Sequence, residues 1–292
     1  RAPPRGAVKT GFCTSPRPML RAHPLPVPER PRMTRLRRLA ALISLAAALC
    51  GAALSPARAQ DVEAGFAPAA LTDRELRVLQ GALAVTGDYA GLMDGAWGSR
   101  SGRALDDYMR RERGKASYSF ADLRPLLRMI DRRIEREGWR NSSFADQAVT
   151  MVLPRGQIDA RDLEGWRRHL AGAETSLRLS YSPFNRTNME LRHLRHQVLN
   201  AEDQTPYTLR GDDRWVTSVR TGEGELFYLR SERYGDVWHT LRLRAEPSDR
   251  AAYRLAIASI RRGAAPPFSI ADRGLLRRVL DGRADPPPQV SR

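Results

Sequence analysis

The residues best equipped for chemistry cluster in Glu190-Leu-Arg-His193-Leu-Arg-His196. On a helix, Glu190 and His193 lie one turn apart, as do His193 and His196, so the three side chains share a face that a metal ion can bridge. Carboxylate-bridged metal sites use two Glu-x-x-His elements, and this chain has one. The repeat also reads as the solvated face of an amphipathic helix whose Leu191, Leu194 and Val198 point to the core, and the pattern favours that second reading. His169 and His239 are the remaining imidazoles of the second half. A catalytic zinc takes three protein ligands beside a water, and the spacing assembles no such cluster.

Other chemistries are poorly furnished. Cys13 and Cys50 both lie upstream of Gln60, so a chain cleaved before Gln60 carries no thiol nucleophile, thiolate metal site or disulfide. No Gly-x-Ser-x-Gly elbow marks a serine nucleophile. Glu223 and Glu225 occupy a glycine turn, an exposed setting that does not tune a carboxylate for acid or base work. Neither a phosphate loop nor a dinucleotide fingerprint occurs, so no cofactor is expected. These residues argue against an enzyme.

The elements that would carry such groups belong to a chain of 292 residues, 41% hydrophobic and 28% charged, as in ordinary globular proteins. Its formal charge of +16 is unevenly spread: residues 1–59 hold 11 of the 49 basic residues and one of the 33 acids, which leaves +6 for residues 60–292. A nucleic-acid partner thus loses its main support. Lys9 and Lys115 are the only lysines, a bias that GC-rich coding explains more simply than a phosphate-binding surface.

Residues 33–59 read as a secretory signal: Arg35, Arg37 and Arg38, an apolar run from Leu39 to Leu54, then Ser-Pro-Ala-Arg-Ala ending at Ala59. The run is 16 residues, short of the roughly 20 that a spanning helix needs, so no transmembrane anchor is expected after cleavage. Leu49 before Cys50 argues against lipidation. Residues 1–32 begin with Arg, are rich in Pro and Arg, and read as an upstream extension outside the fold. Residues 60–70 read as a linker. The expected location is the periplasm or cell envelope.

Thr72-Asp-Arg-Glu75 has the form of a capping box, so a helix should start there, carry Leu76, Leu79 and Leu83 inward, and stop at Gly87. A glycine-marked loop to Gly98 follows, with Gly91, Gly95 and Gly98 available for positive φ and Asp94 for an Asx turn. A second helix from Ser99 or Ser101 turns Ala104, Leu105 and Tyr108 inward. Leu79-Gln80, Leu83, Gly87, Tyr89, Gly91, Asp94-Gly95, Trp97-Gly98, Ala104-Leu105 and Tyr108 follow the core pattern of the small three-helix peptidoglycan-binding domain family, and residues 71–113 resemble that family. Ser101 stands where Thr is usual, and Tyr108-Met109 where Phe-Gln is usual. The resemblance implies a helical domain over 71–118 that contacts peptidoglycan through Tyr89, Asp94, Trp97, Arg100 and Tyr108. For Tyr89 and Trp97 individually a core role competes with sugar stacking and is favoured.

Residues 119–139 read as a third or connecting helix, with Leu123, Leu126, Leu127, Ile130 and Ile134 at helical spacing and Gly138 at its end. Residues 140–263 read as an α+β unit: strands at 149–153, 176–181, 214–220, 226–233 and 237–244, and helices at 187–199 and 248–260, with a helix or two on one face of an antiparallel sheet. The closing strand and helix, ending Ser259-Ile260, are similar to PsbP-like domains. Residues 264–292 supply a helix near 270–280 and a Pro-rich tail. The fold class expected is α+β, a small three-helix N-terminal domain followed by an antiparallel sheet domain flanked by helices. The function expected is that of an exported, non-catalytic envelope protein that binds peptidoglycan and presents the α+β unit to another envelope component. The alternative is a peptidoglycan hydrolase or amidase with an unmarked site in residues 140–263.

Overall fold

Thr72 closes the first turn of α1 (Asp73–Thr86) as a reciprocal capping box, its hydroxyl accepting from the Glu75 amide while the Glu75 carboxylate accepts from the Thr72 amide. Gly87 ends the helix at φ +91°, a left-handed cap that costs glycine nothing. The computed structural model describes residues 62–144, 149–155, 159–163, 167–171 and 174–282. The upstream extension with Cys13, the signal sequence with Cys50, and residues 283–292 of the tail lie outside the described residues.

The architecture is α+β. Three helices come first: α1, α2 (Ser99–Arg113) and α3 (Arg124–Arg136), the last entered through a 3-10 turn at Ala121–Leu123 with Pro125 in its first turn. Two antiparallel sheets follow. The smaller has the order β1-β2-β10, from β1 (Trp139–Phe144), β2 (Val149–Pro154) and β10 (Arg261–Arg262). The larger has seven strands in the order β3-β4-β5-β9-β8-β7-β6, with β3 (Asp159–Leu163), β4 (Arg167–Ala171), β5 (Arg178–Phe184), β6 (Tyr207–Arg210), β7 (Arg214–Arg220), β8 (Leu226–Tyr234) and β9 (Val237–Ala245). Three further helices are α4 (Arg186–Gln197) between β5 and β6, α5 (Arg250–Ala258) between β9 and β10, and the short α6 (Leu275–Asp281) after β10.

Helices cover both faces of the large sheet, where the sequence suggested one. Side chains alternate across a strand, and on β7 the neighbours Thr217 and Ser218 reach His193 of α4 and Tyr253 of α5 respectively. The α5 side is the thick one. There α5 packs on β8, β9 and β2 and also against α1, and Ser259, just beyond its end, accepts the Val152 amide of β2 at 2.8 Å.

The helical segment is therefore joined to the rest by a shared core. Ten consecutive residues of α1, Glu75 to Ala84, are buried, which a helix achieves only when partners surround it. α1 packs on α2, α3 and α5. One hydrophobic cluster runs from Val62 to Val279, and the described residues belong to one compact unit. Glu75 shows the connection at a single carboxylate: besides capping α1 it accepts the Leu276 amide at the start of α6. Val62 and Ala64, in the stretch expected as a linker, accept backbone amides from Ala121 and Phe120. Among the described residues no helix is long and apolar enough to cross a membrane.

Candidate functional site

Gln80 organises the glycine loop between α1 and α2. It is fully buried, and its Nε2 donates within 2.9 Å of the Ala96 carbonyl and 3.2 Å of Asp94 Oδ1, while its Oε1 accepts the Gly95 amide at 2.9 Å. Asp94 Oδ1 also accepts the Ala96 amide at 3.0 Å, the expected Asx turn. Of the three loop glycines expected to allow positive φ, Gly95 alone takes it, at +85°; Gly91 and Gly98 do not. Gly95 is doubly required, since a Cβ there would sit 2.7 Å from the Asp73 carbonyl oxygen. At the start of the loop Arg111 of α2 is ion-paired with Asp88. Burial works to raise the Asp88 pKa, but hydrogen bonds from Arg111 and Thr86 outweigh it and hold the carboxylate below its usual value.

This loop divides the resemblance-derived residues into two groups. Tyr89 and Tyr108 are buried. The Tyr89 hydroxyl donates to the Leu92 carbonyl at 2.8 Å, and desolvation raises its pKa. Both rings belong to the core cluster. Asp94 and Arg100 are exposed, and Trp97 is half-buried with its ring 5.5 Å from that of Phe66. Trp97, Asp94 and Arg100 thus form the accessible rim of a loop whose geometry is set from beneath by Gln80. The sequence pattern contained Gln80 but assigned it no part; its burial beside Asp-Gly reveals the role.

The histidine repeat is placed in the opposite sense to the expectation. Met189, His193 and His196 face the sheet, while Leu191, Leu194 and Val198 are 43%, 49% and 81% exposed. The cause lies under the helix. Thr217, Ser231 and Thr240 place three hydroxyls on that sheet face, and His193 meets them with Nδ1 2.8 Å from Thr217 Oγ1 and Nε2 3.0 Å from Ser231 Oγ. Hydroxyls donate or accept as needed, so a neutral imidazole is satisfied at both nitrogens. Desolvation lowers the His193 pKa to about 4, and desolvation lowers that of His196 as well. His196 Nδ1 is 2.8 Å from the Arg192 carbonyl. Glu190 pairs instead with Arg186 at 2.8 Å, so the three candidate metal ligands are each engaged elsewhere.

A second polar cluster, unmarked in the sequence, lies on the other face of the large sheet. His239 Nδ1 meets the Tyr181 hydroxyl, the two rings stack at 5.9 Å, and Tyr234 packs edge-on to His239 at 5.3 Å. Desolvation lowers the His239 pKa. Glu232, opposite His239 across the strands, is buried and bonded to Arg230 at 2.7 Å and to Arg262 of β10 at 2.7 Å. Its carboxylate joins the two sheets rather than standing as a free base. His169 lies on β4.

No protein-family model matches this chain, and no curated protein matches it. Among solved structures, the chain is similar to a crystal structure from Bacteroides thetaiotaomicron VPI-5482, at 11% identity and a TM-score of 0.29. That match covers 44% of this chain and 49% of the other, so it spans about half the length of the protein it resembles.

Proposed function

We propose that this is an exported, non-catalytic envelope protein that binds peptidoglycan through the loop between α1 and α2 and presents its sheets to another envelope component. The observation that supports this reading is the rim formed by Trp97, Asp94 and Arg100. A half-exposed indole on a rigid support stacks on a sugar ring at little entropic cost, and the flanking acid and base supply directional hydrogen bonds. Tyr89 and Tyr108 take no direct part, because their rings are spent on the core.

Co-sedimentation of the purified chain with insoluble peptidoglycan tests the reading. The parent protein is expected to pellet, Trp97→Ala to weaken binding by roughly tenfold or more as a central aromatic contact does, and the exposed Arg100→Glu to weaken it without loss of fold. A parent protein that stays in the supernatant would overturn the wall-binding part. Clearing of the same sacculi in a zymogram would overturn the non-catalytic part.

A further inference from the structure

Between the end of α1 and the length of α3 runs a groove of about 570 Å³, floored by Val85, Pro125 and Met129, edged by Arg128, Arg132 and Arg136, and closed at its end by Thr86 and the Arg133–Glu137 ion pair. Spacing of four residues sets the arginines on one helical stripe, each about 6 Å along the axis from the next. All three are exposed, and among the described residues none is paired with a carboxylate, whereas the adjacent Arg133 is held by Glu137 at 3.4 Å. A helix C-terminus favours cations within its last turn, which accounts for Arg133 and Arg136. Arg128 and Arg132 sit further back, outside the reach of that effect.

We propose that this groove binds a short extended peptide carrying carboxylates on alternate residues. An extended chain rises about 3.3 Å per residue, so alternate side chains recur about every 6.6 Å on one side, close to the repeat of the arginine stripe. Each guanidinium receives a carboxylate through two parallel N–H donors. The intervening residues meet Val85, Pro125 and Met129, a floor suited to methyl groups. No aromatic ring lines the groove, so it offers a sugar or nucleobase nothing to stack on, which favours a peptide. The site is separate from Trp97 and does not depend on the wall-binding reading.

The test is fluorescence anisotropy of a labelled Ala-Asp-Ala-Asp-Ala-Asp peptide titrated with the full chain, beside a peptide of equal charge with its three aspartates contiguous. The alternating peptide should bind several-fold tighter than the contiguous one. The double variant Arg128→Gln/Arg132→Gln should weaken it by about tenfold or more, with an unchanged far-UV spectrum since both side chains are exposed. Trp97→Ala should leave it unaltered, which separates this site from the wall-binding loop. Equal affinity for the two peptides, or indifference to the double variant, would sink the proposal. Tighter binding of inorganic tripolyphosphate in competition would also overturn it, identifying a phosphate site instead.

Discussion

At the scale of single residues, burial rather than type decides what each group does. His193 is fully buried and its pKa is lowered to about 4, so the unfolded chain takes up its proton more readily than the folded one. Stability from this group is then complete above its unfolded pKa near 6.5 and declines as pH falls through the window from there to about 4, a loss of about 3 kcal/mol by the lower end. Urea unfolding at pH 7 and pH 5 should show a steeper fall for the parent than for His193→Gln; parallel slopes would exclude the imidazole as the cause. Gln80 is the second such residue. Removing its amide in Gln80→Ala strands the buried Gly95 amide, at a cost of about 2 kcal/mol, and the thermal midpoint should drop accordingly. Because Gln80 sets the loop, the same variant should also lose peptidoglycan binding.

At the scale of elements, α4 is the informative case. A helix with leucines at 191 and 194 and histidines at 193 and 196 invites the ordinary assignment of leucine inward, and the structure inverts it. Leu191→Ser and Leu194→Ser should therefore change stability by no more than about 0.5 kcal/mol each, whereas Met189→Ala, on the buried side, should cost about 2 to 5 kcal/mol. Chemical denaturation of the three variants distinguishes the two orientations without further structural work. The rest of the helix follows local rules: Asn185 caps it by accepting the Asn188 amide at 2.9 Å, and Arg186 reaches Glu190 one turn on.

At the scale of the whole molecule, the first three helices and the sheets share a core and should unfold together. Glu75 ties α1 to α6, Arg124 of α3 donates to the Val279 carbonyl of α6, and Arg77 of α1 donates to the Pro266 carbonyl. Far-UV circular dichroism and tryptophan fluorescence should report coincident thermal transitions, with Leu127→Ala on α3 and Leu243→Ala on β9 each lowering both midpoints. Two separated transitions would show that the helical segment is an independent domain. Shared burial also dictates that wall binding be probed with point variants of the full chain, since deletion of the helices would expose the side of α5 on which α1 packs.

The sequence by itself determined what depends on near neighbours. The capping box at Thr72 and Glu75, the stop at Gly87, the Asx turn at Asp94, the amphipathic α3 and the three strands read at 214–220, 226–233 and 237–244, each within one residue of its observed end, were all legible, because each rests on hydrogen bonds or side-chain alternation within a few residues. The strands β1, β3, β4, β6 and β10 were not, being short and recognisable mainly by their pairing partners. Tertiary structure alone decided three further matters. It turned His193 inward because Thr217, Ser231 and Thr240, distant in sequence, demanded partners. It placed Glu232 between Arg230 and Arg262 at the junction of the two sheets. It also separated Trp97, Asp94 and Arg100 at the loop rim from Tyr89 and Tyr108 in the core, a distinction that no spacing encodes because it depends on which surfaces α1 and α2 bury against the rest of the chain.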